Sequence, residues 1–284
     1  MSAGNAVLVI AASDSSGGAG LTRDAQTLSD LHVALCCAVT AVTVQTDAEL
    51  RATHHVPPRI VRAQIRAALD GGQVAAIKIG MLGTAATVRA VADTLPPRER
   101  MPIVLDPVLR ASSGGTLLER DGVALLRDVL LPRVSLVTPN IAEAAALLGE
   151  QAGCDGRIDE AALRSQLQRL LALGPAAVLI KGGHRNGDGH GDGNCDSVID
   201  TLMMQGGSPV QIASPRVRAS RRGTGCSLSS AIAARLAVGS SLIDACTSAQ
   251  HYVAEALAAE TRRGSAELRA ARPAQSKPGP IELE

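Results

Sequence analysis

The sequence predicts a three-layer α/β fold in which helices cover both faces of a mostly parallel central sheet. Short apolar, β-branched segments alternate with longer segments of helical periodicity along nearly the whole chain of 284 residues. Such alternation is typical of parallel strands joined by right-handed helical crossovers. The core must be aliphatic, because the chain contains no Phe, no Trp and one Tyr, and small branched side chains suit a sheet that is buried on both faces.

The predicted strands and helices alternate in chain order. Strands rich in β-branched residues and bounded by Gly, Pro or Asp are predicted at residues 6–12, 36–43, 74–79, 102–106, 135–138 and 177–181. Helices are predicted from apolar periodicity at residues 20–31, 59–70, 85–95, 121–130, 140–148, 159–173, 226–238 and 242–260. A strand pair at residues 197–203 and 210–213, joined by the Gly206-Gly207 turn, predicts a small antiparallel edge.

The chain shows no internal repeat and no linker, so residues 1–262 are predicted to form a single domain. Residues 263–284 are charged and contain several prolines, which predicts a loosely ordered tail. Residues 185–196 are rich in Gly and Asp, like the start of a calcium-binding EF-hand loop, but Ile199 stands where that loop needs Glu. We therefore predict a solvated hairpin there.

The composition excludes several classes of function. Proteins that bind single-stranded nucleic acid stack bases on aromatic side chains, which this chain almost lacks. A net charge of +1 also argues against a surface that follows a phosphate backbone. The sequence thus predicts no nucleic-acid partner.

The cysteines and the apolar segments predict a cytoplasmic protein. The six Cys residues form no CxxC pair and no regular spacing, so neither a zinc site nor a disulfide framework is indicated. Cys36 and Cys37 lie in an apolar segment and are predicted to be core residues. No apolar stretch approaches the roughly 18 residues of a membrane span, and the N-terminal segment has no Lys or Arg before its apolar residues, unlike a secretory signal.

Polar or glycine-rich segments follow every strand of the predicted parallel sheet. Ligands of such sheets bind at the carboxyl ends of the strands, so one shared cleft is predicted. The segments include 13–20, Gln45 with Thr46, 80–82, 106–108, 139–143 and 182–184. The glycines of residues 17–20 do not fit GxGxxG, and the chain contains no GxxxxGK[ST], which excludes the Rossmann dinucleotide and P-loop nucleotide motifs.

The most informative segment is Gly223-Thr224-Gly225-Cys226, which opens an Ala-rich helix. Two glycines allow a tight turn, and its exposed N–H groups together with the helix N-terminus would bind an anion. At this position the helix dipole and Arg221 and Arg222 are expected to favour the Cys226 thiolate. The alternative is a glycine turn closed by a buried Cys.

Two further elements suggest a site for a nucleotide. Asn140 and Glu143 lie three residues apart on one helical face, where they can position a magnesium ion through water or serve as an ordinary helix cap. Lys181 ends an apolar strand and needs an anionic partner if it is buried. That partner is a nucleotide phosphate or Asp196.

These segments occur together in a known family. The motifs are AASDSSGGAG with Asp24, TVQ at 43–45, KIGML at 78–82, DPV at 106–108, TPN at 138–140 with Glu143, KGGH at 181–184 and GTGC at 223–226. In this order the chain resembles the hydroxymethylpyrimidine/phosphomethylpyrimidine kinases of thiamin synthesis, members of the ribokinase-like superfamily. The resemblance covers about residues 7–260.

The resemblance implies a role for each matching position. It implies ATP and Mg²⁺ as cofactors, a pyrimidine substrate and a homodimer. The implied substrate-binding residues are Asp24, Gln45, Ala12, Gly20, Met81 and Val108. The implied ATP-binding residues are Lys181, Asn140 and Thr224, and the implied metal ligands are Glu143 and Asp106. The loop of Gly223, Thr224 and Gly225 would form the anion hole, and Cys226 would take the substrate's hydroxyl proton.

The chain departs from the family pattern at several of these positions. Ala12 stands where Gly is usual, Gln45 is followed by Thr46-Asp47, Gly115 replaces an acidic residue, and Arg221-Arg222 replace a Thr-His pair. The arginines would add phosphate contacts or mark a changed substrate. Two alternatives therefore stay open: a pyridoxal or pyridoxine kinase of the same superfamily, and a non-catalytic ligand-binding relative.

Overall fold

A mixed β-sheet forms the middle layer of the protein. The computed structural model describes residues 5–46, 48–111, 115–150, 158–182, 197–217 and 222–270, with side chains described up to Arg262. Within these ranges nine strands form one sheet in the order β3-β2-β1-β4-β5-β6-β7-β8-β9. The strands are β1 (Ala6–Asp14), β2 (Ala34–Gln45), β3 (Leu50–His55), β4 (Val74–Ile79), β5 (Ile103–Leu105), β6 (Leu136–Val137), β7 (Ala177–Ile180), β8 (Ser197–Met204) and β9 (Val210–Pro215).

The sheet is parallel in its centre and antiparallel at both edges. Strands β2, β1, β4, β5, β6 and β7 pair in parallel. The predicted antiparallel edge is confirmed as the hairpin of β8 and β9. The antiparallel strand β3 at the other edge was not predicted. Four of its six residues are exposed, so it lacks the apolar alternation that marks a half-buried strand.

Helices cover both faces of the sheet, as predicted. They are α1 (Gly20–Asp30), α2 (Pro58–Asp70), α3 (Ala85–Ala92), α4 (Arg120–Leu125), α5 (Ile141–Leu147), α6 (Glu160–Ala172), α7 (Thr224–Ala237) and α8 (Leu242–Ala270). Helix α4 continues into a π turn, Leu126–Leu130, and a 3-10 turn, Leu131–Arg133. Helix α8 extends past the predicted domain boundary at residue 262. The rest of the predicted tail and residues 185–196 lie outside the described residues.

The core consists of aliphatic side chains in two layers, one on each face of the sheet. Along β1, Leu8 and Ile10 face one layer, and Val7 and Val9 face the other; all four are fully buried. The first layer packs against α2, α3, α5 and α6, and the second against α1, α7 and α8. This confirms the aliphatic core that the composition predicts.

One core prediction is wrong. Cys37 is exposed and Cys36 is only half-buried. Both lie in the first half of β2, the second strand from the sheet edge, where most residues are not covered. An apolar segment next to a sheet edge is therefore poor evidence of burial. None of the helices in the described part of the chain is both long and apolar enough to cross a bilayer.

Candidate active site

A cavity of about 760 Å³ lies at the carboxyl ends of the parallel strands. Of the residues that the sequence nominates for the site, every one except Asp24 lines it. Those residues are Ala12, Gly20, Gln45, Met81, Asp106, Val108, Asn140, Glu143, Lys181, Gly223, Thr224, Gly225 and Cys226. The fold thus collects side chains from separate strand ends into one cavity, and their individual roles remain predictions.

The segment 223–226 forms a tight turn into α7 and packs against the loop after β1. Gly223 adopts a left-handed conformation, with φ of +79°, which favours glycine. A Cβ atom there would overlap the carbonyl oxygen of Gly18. Within the described residues no side chain caps this helix start, and its first turn holds no acidic residue. The first N–H groups of α7 are therefore available to an anion, and residues 223–226 are called the anion loop below.

Lys181 lies beside the anion loop and is paired with two carboxylates. Its Nζ is 2.8 Å from Asp106 Oδ1 and 3.6 Å from Glu143 Oε2. A Cβ on Gly225 would be 3.3 Å from the same Nζ, so loop and ammonium are adjacent. Burial alone would lower the pKa of Lys181, but Asp106 and Glu143 outweigh it and raise that pKa. Asp196, the other predicted partner, lies outside the described residues.

Glu143 has two functions in this arrangement. It forms a reciprocal cap with Asn140: each side chain accepts the other residue's backbone N–H at 2.8 Å. Its second contact is with Lys181, and burial raises the pKa of its carboxyl group. The N-x-x-E pattern is thus a helix cap that also presents a carboxylate to the cavity.

Asp24 does not reach the cavity. Its carboxylate is fully buried below it, with both oxygens 2.9 Å from Lys78 Nζ and Oδ1 accepting from Ser230 Oγ at 2.8 Å. The prediction that Asp24 contacts substrate is therefore corrected: the described geometry assigns it to Lys78. Burial alone would lower the pKa of Lys78, but Asp24 outweighs it and raises that pKa, so Lys78 is charged at neutral pH. Lys78 was missed, although a lysine inside an apolar strand is a visible signal.

Cys226 is protonated at neutral pH. Burial raises the pKa of its thiol to about 11; Lys78 opposes this increase, whereas Asp24 and Asp106 add to it. The expectation of a favoured thiolate is wrong, because loss of water and two nearby carboxylates outweigh the helix N-terminus and Lys78. The start of a helix can be recognised in the sequence, but the burial of a side chain at that position cannot.

Another part of the cavity wall is aliphatic, with one carboxamide. Ala12, Met81 and Leu117 form a small buried cluster against which Val108 packs. Gln45 projects at the end of β2, and Ser15 Oγ bonds both its backbone N–H and its carbonyl oxygen at 2.9 Å. This wall can hold a flat ring between apolar groups and read its edge by hydrogen bonds.

Arg222, which precedes the anion loop, spans part of the cavity rim. Its guanidinium donates to Asp14 Oδ2 at 3.0 Å, to the Thr46 carbonyl oxygen at 2.8 Å and to Ser16 Oγ at 3.1 Å. The suggestion that Arg222 contacts phosphate is not supported, because both terminal nitrogens are used within the protein. Arg221 lies outside the described residues.

The end of the cavity that is formed by β8 and α8 was not predicted from the sequence. Asp200 of β8 accepts the Gly182 N–H at 2.7 Å, and burial raises the pKa of its carboxyl group. Gln250, Val253 and Leu257 of α8 line the same end. Their positions depend on how a long helix crosses a hairpin, which no local motif encodes.

Comparison with solved structures defines the class of protein. The phosphomethylpyrimidine kinase of Clostridium difficile matches with a TM-score of 0.72 and 30% identity, covering 88% of this chain and 98% of that one. A pyridoxal kinase of Staphylococcus aureus, solved with pyridoxal, matches with a TM-score of 0.76 and 27% identity, covering 90% and 88%. The fold is that of a ribokinase-like small-molecule kinase, a phosphotransferase.

Sequence comparison identifies the family. The model described as phosphomethylpyrimidine kinase matches residues 14–270. The hydroxymethylpyrimidine/phosphomethylpyrimidine kinase of Rhizobium meliloti is 40% identical over 257 residues, 90% of this chain and 91% of the relative. The enzyme of the same name from Haemophilus influenzae is 37% identical over 252 residues, 88% and 90%. This chain belongs to the phosphomethylpyrimidine kinase family.

The buried pair of Asp24 and Lys78 generates a prediction about stability. Asp24→Asn leaves the Lys78 ammonium buried without a counter-charge, which should lower the free energy of unfolding by about 3–5 kcal/mol. Urea unfolding of both proteins measures the loss. The matched control is Asp128→Asn, whose partner Arg127 is exposed, and it should leave the midpoint nearly unchanged. Equal midpoints for Asp24→Asn and wild type would contradict the assigned pairing.

Proposed function

We propose that this protein phosphorylates 4-amino-5-hydroxymethyl-2-methylpyrimidine with ATP, and then phosphorylates the monophosphate to the diphosphate in thiamin biosynthesis. The observation that carries the proposal is that one cavity joins the aliphatic, carboxamide-bearing wall at Gln45 to the anion loop and Lys181. A neutral ring fits the first region and a transferring phosphoryl group fits the second. The names of the sequence relatives support the same substrate.

The pyrimidine is held without aromatic stacking. Met81 and Val108 would contact the ring faces, since no Phe or Trp exists in the chain. The carboxamide of Gln45 offers a donor and an acceptor to the aminopyrimidine edge. Selectivity then rests on hydrogen bonds rather than on ring stacking.

The anion loop and Lys181 act on the phosphates. The loop amides would hold the equatorial oxygens of the γ-phosphoryl group while its bond to ADP breaks and its bond to the hydroxymethyl oxygen forms. Lys181, Asn140 and Thr224 would bind the ATP phosphates. The apolar end of the cavity at Val253 and Leu257 offers space for the nucleoside.

The residues around Lys181 also fit a magnesium ion. Asp106 and Glu143 present carboxylate oxygens at one place, and Mg²⁺ commonly binds one or two carboxylates while keeping several waters. Among the described residues no group of three or more acidic, His or Cys side chains forms a tighter cage. We propose that these two carboxylates hold the ion, which would offset charge on the triphosphate.

Cys226 would accept the hydroxymethyl proton as a thiolate. Its raised pKa makes the thiolate scarce but strongly basic. When phosphoryl transfer passes through a loose transition state, the proton of the attacking hydroxyl group is removed only late in the reaction. A scarce, strong base is compatible with that demand.

We also propose a homodimer that works in the cytoplasm. The family resemblance supports the dimer, and a sequence without paired cysteine motifs supports a reducing compartment. Light scattering of the purified protein at several concentrations tests the dimer, and a single monomeric mass throughout would reject it.

The first test of this function is direct. Incubation with ATP, Mg²⁺ and hydroxymethylpyrimidine should give the monophosphate and then the diphosphate, identified by mass spectrometry. A parallel reaction with pyridoxal tests the second candidate, a pyridoxal kinase, which the fold match to the Staphylococcus aureus enzyme favours. If phosphoryl transfer to pyridoxal is faster, pyridoxal replaces hydroxymethylpyrimidine as the proposed substrate. Pyrimidine binding without ATP consumption would indicate the non-catalytic alternative.

Gln45 is expected to determine pyrimidine affinity. Gln45→Leu removes the carboxamide at constant fold, and should raise the pyrimidine KM by about 10–100-fold through lost hydrogen bonds. The KM for ATP should change little, because Gln45 contacts Ser15 and Thr43 rather than the residues assigned to ATP. Gln211→Leu, at an exposed position of β9, is the matched control. A normal pyrimidine KM in Gln45→Leu would reject this assignment.

Cys226 should set the pH dependence of the rate. The base acts in its deprotonated form. For a thiol with a pKa of about 11, the thiolate fraction increases about tenfold for each unit by which the pH is raised, as long as the pH stays below that value. We therefore expect kcat/KM to increase by up to about tenfold per unit between roughly pH 7 and 9.5. Cys226→Ala should be slower and lose this slope. Full turnover by Cys226→Ala, or the same slope in that variant, would exclude Cys226 as the base.

A further inference from the structure

Contacts within the protein hold the guanidinium of Arg222 in place, and phosphate binding does not explain these contacts. It directly precedes Gly223 of the anion loop, yet its guanidinium contacts residues near the start of the chain. Its partners are Asp14, Ser16 and Thr46, at 3.0, 3.1 and 2.8 Å. The ion pair is largely buried: the side chain of Arg222 is 16% exposed and that of Asp14 is 5% exposed. A planar guanidinium held at several points is more rigid than a surface ion pair.

Asp14 connects this arginine to the loop after β1. Its Oδ2 pairs with Arg222, while its Oδ1 accepts from both the backbone N–H and the hydroxyl of Ser16 at 2.9 Å. Both carboxylate oxygens are therefore occupied. The loop that packs against Gly223 is held in shape by the same side chain that binds Arg222.

Thr46 connects Arg222 to the substrate wall. Its carbonyl oxygen accepts from Arg222 Nη1, and the preceding residue is Gln45. The backbone of Gln45 is bonded on its other side by Ser15 Oγ, from the same loop after β1. Arg222 thus contacts both segments that fix the Gln45 backbone.

We propose that Arg222 is a positioning residue that sets the distance between Gln45 and the anion loop. The inference rests on the proposed function: the pyrimidine bound at Gln45 is thereby placed with its hydroxymethyl group against Cys226. Misplacement by a fraction of an ångström weakens transfer strongly, because phosphoryl transfer depends on alignment of the reacting atoms. Arg222 acts through Asp14 and Thr46 and does not itself touch the reacting atoms.

The test uses Arg222→Gln, Arg222→Lys, Asp14→Asn and the double variant Arg222→Gln/Asp14→Asn in full-length protein. Arg222→Gln should raise the pyrimidine KM about tenfold and lower kcat about tenfold, with the KM for ATP within about twofold. Arg222→Lys should recover part of the loss, since it keeps the charge pair but not the planar fork. The double variant should resemble Arg222→Gln, because the two residues act as a unit.

The matched control is Arg169→Gln. Arg169 also pairs with a carboxylate, that of Glu150, but both are partly exposed and lie away from the cavity. Its kinetic constants should equal those of wild type. A general effect of removing a paired arginine would appear in this variant too.

Three kinetic results would overturn the proposal. They are an unchanged pyrimidine KM in Arg222→Gln, a larger increase in the KM for ATP, which would indicate phosphate contact, and full additivity in the double variant. If Arg222→Gln does not fold, Arg222→Lys and Asp14→Asn carry the same comparison.

A second readout separates this inference from the proposed function. Amide hydrogen exchange at residues 13–17 and 44–46 should accelerate in Arg222→Gln and not in Arg169→Gln, whatever the substrate is. If wild type transfers no phosphate to the pyrimidine but exchange accelerates, the proposed function fails and the structural role stands. Unchanged exchange at both segments refutes the role of Arg222.

Discussion

A fully buried charge must meet its counter-charge inside the protein, and the floor of the cavity is built around this constraint. Lys78 of β4 is paired with Asp24 of α1, and Ser230 of α7 donates to the same carboxylate. Three elements are thereby joined at one point. Ser230 lies one helical turn after Cys226, so the contact that anchors α7 also fixes where its N-terminus and the Cys226 thiol face the cavity.

The same constraint organises the charges around the reacting centre. Lys181 is held by Asp106 and Glu143, and Glu143 in turn caps α5 through Asn140. The first turn of α7 holds no acidic residue, so the amides of the anion loop remain electropositive. Cys226 lies among these charges at the cavity, and burial keeps its thiol protonated at neutral pH.

The sequence predicted the alternating order of strands and helices, and all but one of the residues that it nominated for the site line the cavity. Most of them follow parallel strands, which end at one edge of the sheet. It did not predict β3, whose exposed residues carry no periodic signal. It also misplaced Asp24, which points toward the cavity floor rather than into the cavity. The partners of Lys78 and Arg222 come from distant parts of the chain, and local patterns do not encode such pairings.

The central claim is that one cavity aligns a pyrimidine hydroxymethyl group with a phosphoryl group at the anion loop. A crystal structure with hydroxymethylpyrimidine and a non-hydrolysable ATP analogue tests it most directly. The account predicts the ring at Gln45 and Met81, the γ-phosphoryl group on the amides of residues 223–226, and the hydroxymethyl oxygen about 3–3.5 Å from the phosphorus. A ring bound elsewhere, or phosphates away from the anion loop, would contradict it.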